Sequence, residues 1–232
     1  MNGMLLINKP RGWTSFDVAK KLRQIVQKSD FNTSNKKLFP VGHSGTLDPL
    51  ATGLLVILLG NYTKKAPELI KLDKTYHVSI KLGETSTTGD EEGKKESVSS
   101  RIPTKTEVTS VVNQFLGQIS QIPPAFSAIK INGQRAYKLA RAGKEVEMKP
   151  RLVTIFKISE INYDYPILKF SAHVSSGTYI RTLAEDIGQK LGTGAYMCDL
   201  HRTKIGKFDI KDSVEMDGLS DQKIFDQLLT LA

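Results

Sequence analysis

Several features common in other protein classes are missing from this 232-residue sequence. It has one cysteine, Cys198, so an internal disulfide is excluded. The four histidines are not spaced as metal ligands usually are, so we expect no bound metal. They are His43, His77, His173 and His201. No apolar run approaches the roughly 18 to 20 residues of a membrane span, and the apolar N-terminal stretch is too short for a signal peptide. These absences predict a cytoplasmic protein that binds no membrane.

Acidic residues are too few to balance the basic ones. The formal net charge is +9, from 33 Lys and Arg against 24 Asp and Glu. Such an excess suggests an anionic partner such as nucleic acid. The excess is concentrated in residues 130–151, where the basic residues are Lys130, Arg135, Lys138, Arg141, Lys144, Lys149 and Arg151. On its own, this segment could equally be a solvated surface.

Apolar periodicity predicts strands mixed with helices. Strands are expected at residues 4–7, 54–59, 76–82, 152–158 and 167–174. Helices are expected to start at Thr14-Ser15, at the capping box of Thr104 and Glu107, and near Tyr179 with Thr178 as N-cap. A further short helix is expected at residues 136–141. The mixture predicts an α+β fold in one domain, residues 1–232.

The most informative motif is GHSGTLDPLATG, residues 42–53, which leads directly into the apolar run 54–59. Its small residues let a substrate approach closely, and Pro49 fixes how the chain leaves. Asp48 is therefore a candidate catalytic group. Because Asp-Pro is also a turn signal, Asp48 could instead be only a turn residue.

A second motif places a cation at the start of a helix. Arg181 falls in the first turn, where a positive charge opposes the helix dipole by about 0.3 to 1 kcal/mol. This position indicates a nearby anion, either Asp48 or a phosphate. The alternative is a surface arginine whose stem covers the core.

Six motifs in order resemble the TruB-type tRNA pseudouridine synthases, which isomerise a uridine in the T arm of tRNA. They are LINKPRGWTS (6–15), GHSGTLDPLATG (42–53), KTY with LGETSTTGD (74–76 and 82–90), IPPAFSAIK (122–130), GTYIR (177–181) and LHRTKIG (200–206). The resemblance implies the pseudouridine synthase fold, in which helices flank a mixed, mostly antiparallel central sheet. It also implies that residues 122–152 are an inserted thumb that grips RNA.

The resemblance implies particular site residues. Asp48 matches the essential aspartate, Arg181 the arginine that pairs with it, and Tyr76 the tyrosine that stacks on the flipped uracil. Other matches are expected to contact substrate: His43 at the disrupted RNA loop, Tyr179 and Leu200 in the nucleotide pocket, Lys64 near it, and Lys130 and Arg141 in the thumb. Tyr76 and Leu200 could instead be core residues, and His43 could bond its own turn.

The residue types also suit the chemistry. Pseudouridine formation breaks the N1–C1′ bond and rejoins uracil through C5, so the base must leave the stack. An aromatic face such as Tyr76 recovers part of that cost. Asp48 would act as nucleophile or as proton acceptor at the sugar, and Arg181 would keep it ionised. Because no redox step occurs and no external atom enters the product, we expect no cofactor.

We therefore expect a tRNA pseudouridine synthase that acts as a monomer on uridine-55 of the T-arm stem-loop. One alternative is a non-catalytic tRNA-binding or folding module, which would not need Asp48, Tyr76 and Arg181 together. Another is a guide-RNA-dependent rRNA pseudouridine synthase. Most members of the family continue into a C-terminal RNA-binding PUA domain, which we expect to be absent here. That absence argues against the guide-RNA assembly.

Overall fold

A computed structural model describes residues 1–29, 38–127, 129–131, 133–144 and 146–230. The strands among them are β1 (Gly3–Lys9), β2 (Val41–His43), β3 (Thr52–Leu59), β4 (Lys74–Leu82), β5 (Glu84–Ser86), β6 (Lys95–Ser97), β7 (Gly117–Gln121), β8 (Lys130–Ile131), β9 (Gln134–Arg135), β10 (Arg151–Asp164), β11 (Ile167–Val174), β12 (Ala195–Ile205), β13 (Phe208–Asp209) and β14 (Val214–Glu215). The α-helices are α1 (Ser15–Gln27), α2 (Ala66–Ile70), α3 (Lys105–Asn113), α4 (Ala136–Arg141), α5 (Ile180–Leu191) and α6 (Asp221–Asp226), and 3₁₀ helices form at Gly60–Lys65 and Ile210–Asp212. In the described ranges, every helix is too short or too polar to be a membrane span.

The chain folds into two compact units. Unit 1 consists of Met1–Tyr76 and Leu200–Ala232, and unit 2 of His77–Asp199. The boundaries fall within β4 and β12, so each of these strands contributes residues to both units. The single catalytic domain expected from the sequence stays a prediction.

Unit 1 is built around β3, whose two faces are both buried. The strand order is β14-β1-β3-β12, with β1 antiparallel to β3 and β12 parallel to it. One face of β3 packs with α1, and the opposite face packs with Ile205 and Phe208. Burial on both faces explains why the run 54–59 is apolar without alternation.

Unit 2 contains β4, β11, β10 and β7 side by side in that order. Strand β10 is antiparallel to both β11 and β7. Helix α3 packs against β10 and against α5, and the two helices bury side chains that include Val108, Val112, Leu183 and Ile187. Mixed strands that are mostly antiparallel, flanked by helices, confirm the predicted α+β fold.

The strands and helices predicted from the sequence are observed, whereas others, among them β7 and β12, had no prediction. The predicted bounds of α4 and β11 are those observed, and Thr104 with Glu107 forms the predicted capping box. The predicted N-cap Thr178 is wrong, because α5 begins at Ile180 with Tyr179 as N-cap. The Thr178 hydroxyl instead donates to the Ser175 carbonyl at 2.9 Å. Strand β10 continues six residues past the predicted end at 158, to Asp164.

Candidate active site

Asp48 lies on the loop that joins β2 to β3, as the motif predicts. The loop turns tightly at Asp48-Pro49, where the Ala51 N–H donates to the Asp48 carbonyl at 3.1 Å. Gly45 has φ +125°, a conformation that residues with a side chain rarely adopt. The loop therefore depends on its glycine as well as on Pro49. The Asp48 side chain is partly buried.

Arg202 of β12 holds this loop on both sides of Asp48. Its guanidinium donates to the carbonyls of Gly45 at 3.3 Å and Thr46 at 3.5 Å, and to Leu54 at 2.8 Å, where β3 has begun. Only 1% of Arg202 is exposed. A Cβ on Gly53 would lie 2.4 Å from the Arg202 carbonyl oxygen, so the close approach of β3 to β12 requires glycine. The rigid fork of arginine donors suits several carbonyls at once.

Two residues from the start of the chain hold the middle of the loop. The Ser15 hydroxyl donates to the Leu47 carbonyl at 3.2 Å and accepts from the Leu47 N–H at 2.8 Å. The buried Lys9 ammonium donates to the carbonyls of Trp13 at 2.6 Å and Pro49 at 3.3 Å. Side chains from three segments therefore bond the backbone on both sides of Asp48.

The cations beside the loop interact electrostatically with its side chains. Burial lowers the pKa of Lys9 to about 8, and the Asp48 carboxylate partly opposes that shift. Burial also lowers the pKa of His43, with a further contribution from the Arg202 charge. His43 therefore favours its neutral form, and its Nδ1 is buried without a hydrogen-bond partner among the described residues. The neighbouring Ser44 hydroxyl is likewise buried without a hydrogen-bond partner among the described residues.

The remaining predicted residues of unit 1 differ in exposure. Tyr76 of β4 is 8% exposed and Leu200 of β12 is 7% exposed, so both are compatible with a core role as well as a pocket role. Lys64 lies in the 3₁₀ helix Gly60–Lys65 and is exposed.

Arg181 lies in unit 2, in the first turn of α5, and is buried. Its Nη1 donates to the Thr88 carbonyl at 3.2 Å and lies 3.7 Å from Asp90 Oδ2. Its Nη2 donates to the Phe126 carbonyl at 2.9 Å. The alternative of a surface arginine is therefore wrong. Because Asp48 belongs to the other unit, the pairing of Arg181 with Asp48 stays a prediction.

Tyr179 immediately precedes α5 and is held by a side chain of β7. Gln121, 1% exposed, accepts from the Tyr179 N–H at 3.1 Å and donates to the Tyr179 carbonyl at 3.3 Å. One residue further into the helix than Arg181, the Thr182 hydroxyl donates to the Ile122 carbonyl at 3.2 Å. The first turn of α5 is thus attached to residues 121–126.

The basic segment 130–151 contains a short hairpin and a helix. Lys130 opens the β8–β9 hairpin and Arg141 ends α4, and both side chains are exposed. The Arg141 guanidinium lies over the Tyr137 ring, 5.7 Å from its centroid. Exposed cations carried on short elements suit contact with a polyanion.

Among the described residues, no three His, Cys, Asp or Glu side chains come together as a metal site would require. Independence from metals stays a prediction, to be tested with chelators.

Family models match the chain from residue 32 to residue 229. A model described as the N-terminal domain of TruB family pseudouridylate synthases matches residues 32–180. The chain belongs to the TruB family. A model of the tRNA pseudouridylate synthase B C-terminal domain matches residues 181–229.

Curated TruB relatives match along nearly the whole chain. A tRNA pseudouridine synthase B of Clostridium tetani is 43% identical over 226 residues, which are 97% of this chain and 74% of the relative. One of Endomicrobium trichonymphae is 43% identical over 233 residues, covering 100% of this chain and 97% of the relative. The predicted enzyme class, an isomerase that forms pseudouridine in tRNA, is confirmed.

Solved structures share the fold. The structure of a Cbf5-Nop10-Gar1 complex matches with a TM-score of 0.72 and 26% identity, covering 96% of this chain and 55% of that chain. An archaeal box H/ACA sRNP Nop10-Cbf5 complex matches with a TM-score of 0.67 and 25% identity, covering 96% and 54%. This TruB-family chain spans about half the length of those solved chains.

Sequence reasoning did not identify Lys9, Ser15, Gln121 or Arg202 as parts of the TruB site. All four lie within or next to the motifs that carried the family resemblance. Because Lys and Arg are seldom fully buried unless paired, their burial would have been a signal. The sequence gives no measure of burial for a single charged residue on a strand.

Proposed function

We propose that this chain converts uridine-55 in the T loop of tRNA to pseudouridine, as a cytoplasmic monomer that needs neither metal nor cofactor. The observation that carries the proposal is the Asp48 loop, bonded by Ser15, Lys9 and Arg202. A simple turn needs no such support, whereas a catalytic carboxylate must be held within about 0.5 Å of its working position. Family membership supplies the reaction class.

In the proposed reaction, Asp48 acts at the ribose. The N1–C1′ bond breaks, uracil turns, and C5 bonds to C1′ while C5 loses a proton and N1 gains one. The atoms balance without an external reagent. Asp48 either attacks C1′ or accepts a proton from the sugar, and the Lys9 charge beside it favours a carboxylate in either role.

Before the reaction, the uridine must leave the loop stack, which costs a few kcal/mol. We assign the stacking surface for the flipped base to Tyr76, and the walls of its pocket to Tyr179 and Leu200. We assign His43 to the opened RNA loop and Lys64 to the nearby backbone. A neutral His43 suits this role, because it can stack and hydrogen-bond without repelling the cations around it.

We assign Arg181 to a charge pair with Asp48 in the substrate complex. Its burial and its bonds to the carbonyls of Thr88 and Phe126 support a fixed cation. Lys130 and Arg141 are assigned to the T-arm phosphates, which their exposure permits. Residues 122–152 would then act as the thumb.

The decisive experiment incubates the protein with a bare T-arm stem-loop, without guide RNA or other proteins, and measures pseudouridine. We expect turnover by the wild type and none by Asp48→Asn, which keeps the side-chain shape but loses the charge. RNA affinity should stay near the wild-type value. Asp217→Asn, an exposed aspartate of the same unit, is the matched control and should remain fully active.

Turnover by Asp48→Asn above a no-enzyme control would contradict the catalytic role of Asp48. Binding without turnover by the wild type would favour the non-catalytic module. Activity that appeared only with a guide RNA and partner proteins would favour the guided enzyme.

Sedimentation of the wild type with and without RNA tests whether the protein is a monomer, and activity in excess EDTA tests whether it needs a metal.

A further inference from the structure

Gln121 has an unusual place at the end of β7. Its amide bonds both backbone groups of Tyr179, accepting from the N–H at 3.1 Å and donating to the carbonyl at 3.3 Å. The side chain thus pairs with Tyr179 as a neighbouring strand would. With 1% exposure, the amide has little access to competing water.

Tyr179 needs this support because of where it lies. It is the N-cap of α5, and its side chain makes no capping hydrogen bond. Its φ of −100° and ψ of 112° are extended, so its N–H receives no partner from the helix. Gln121 supplies a partner for that N–H and so helps to fix the direction in which the chain enters α5.

Two neighbouring bonds extend the attachment. Thr182 donates to the Ile122 carbonyl at 3.2 Å, and Arg181 donates to the Phe126 carbonyl at 2.9 Å. The side chains of Gln121, Arg181 and Thr182 therefore connect the start of α5 with residues 121–126, where the proposed thumb begins. Of the three side chains, Gln121 bonds the backbone of Tyr179 directly before the helix, whereas Arg181 also donates to the Thr88 carbonyl at 3.2 Å.

We propose that Gln121 is a positioning residue for pseudouridine formation, which sets the orientation of Tyr179 and thereby of Arg181 two residues later. This inference rests on the proposed function, because it requires Tyr179 and Arg181 to work at the flipped nucleotide. Gln121 itself touches no reacting atom. Its effect passes through the backbone of Tyr179.

The first test replaces Gln121 with methionine, which keeps the length of the side chain but removes both hydrogen bonds. We expect the single-turnover rate on T-arm RNA to fall about 10- to 100-fold, because misplacement by about 1 Å can cost about 100-fold. The dissociation constant for RNA should change by less than about threefold, since exposed thumb cations carry the phosphate contacts. Gln118→Met, at an exposed position of the same strand, is the control and should leave both values unchanged.

The second test uses Gln121→Glu. When protonated, the introduced carboxyl group can donate and accept as the amide does, and burial raises its pKa. When ionised, it keeps the acceptor but faces the Tyr179 carbonyl without a proton. The rate relative to wild type should therefore be highest at low pH and fall as the pH rises, whereas the relative rate of Gln121→Met should be flat. Amide hydrogen exchange at Tyr179 should be faster in Gln121→Met than in wild type.

A Gln121→Met enzyme with the wild-type rate, or a flat relative profile for Gln121→Glu, would overturn the inference. So would a loss confined to RNA affinity. Failure of the wild type to modify T-arm RNA would contradict the proposed function itself, and wild-type turnover with an unaffected Gln121→Met rate would contradict only the role of Gln121.

Discussion

Replacing Arg202 with lysine should show whether activity depends on the exact position of Asp48 or only on the positive charge near it. Lysine keeps the positive charge but loses the fork that reaches Gly45, Thr46 and Leu54 at once. The three donors of an ammonium lie on one atom, so it cannot span the carbonyls that the wider guanidinium reaches, and we expect it to keep one of these contacts. The variant therefore loses two hydrogen bonds from a charged donor in a site that is 1% exposed.

The magnitude follows from those bonds. The hydrogen bond to Thr46 is long, at 3.5 Å, and therefore weak. Most of the lost stability comes from the hydrogen bond to Gly45 or to Leu54, whichever the lysine does not keep. A hydrogen bond to a charged group contributes about 1.5 to 3 kcal/mol, so we expect a destabilisation of about 2 to 4 kcal/mol. If the loop then shifts Asp48 by about 1 Å, the single-turnover rate should fall about 100-fold.

Arg23→Lys is the matched control. Arg23 also donates to two backbone carbonyls of unit 1, those of Phe39 at 3.2 Å and Val41 at 3.0 Å, but neither belongs to the Asp48 loop. Both variants should lower the midpoint of urea unfolding, and only Arg202→Lys should slow pseudouridine formation at temperatures where both are folded. Equal rates in the two variants would refute the idea that Arg202 positions Asp48.

Three further predictions concern stacking, the thumb and a buried lysine. Tyr76→Ala should lose far more activity than Tyr76→Phe, because stacking needs the ring, and equal losses would implicate the hydroxyl instead. Replacing Lys130, Arg141 and Lys144 together with alanine should weaken binding of stem-loops of any sequence and flatten the salt dependence by about 0.7 to 0.9 per lost phosphate contact; an unchanged slope would mark the segment as a solvated surface. Burial lowers the pKa of Lys74 from 10.5 to about 8, so the unfolded chain binds more protons between these values and stability must rise with pH through that window. Between pH 7 and 9.5 the free energy of unfolding of wild type should gain about 2 kcal/mol relative to Lys74→Met, and a constant difference in urea titrations would contradict the shift.

The parts that could be predicted from the sequence are those specified by neighbouring residues. The capping box of Thr104 and Glu107 and the short α4 depend on residues within one or two turns, and both were placed correctly. The Asp48 loop was recognisable because its glycines and proline lie within a dozen positions. Such signals need no knowledge of the tertiary fold.

The supports of the site could not be predicted in the same way, because their partners are distant backbone groups. Arg202 bonds Gly45 across 157 positions, and Gln121 bonds Tyr179 across 58. Every residue type has a backbone carbonyl, so the sequence does not show which carbonyl will accept a given hydrogen bond. The N-cap prediction at Thr178 failed for a related reason, since the Tyr179 N–H is bonded by the distant Gln121 and the Thr178 hydroxyl donates to the Ser175 carbonyl.

The buried cations of unit 1 have a consequence for the substrate as well as for the loop. The hydrogen-bond partners described above for Lys9 and Arg202 are neutral carbonyls, which satisfy the donors but do not cancel the charge. The Arg202 charge also acts on its neighbours, since burial lowers the pKa values of both Lys74 and His43 and Arg202 lowers them further. We therefore expect the Lys9 and Arg202 charges to favour both an ionised Asp48 and an approaching phosphate backbone.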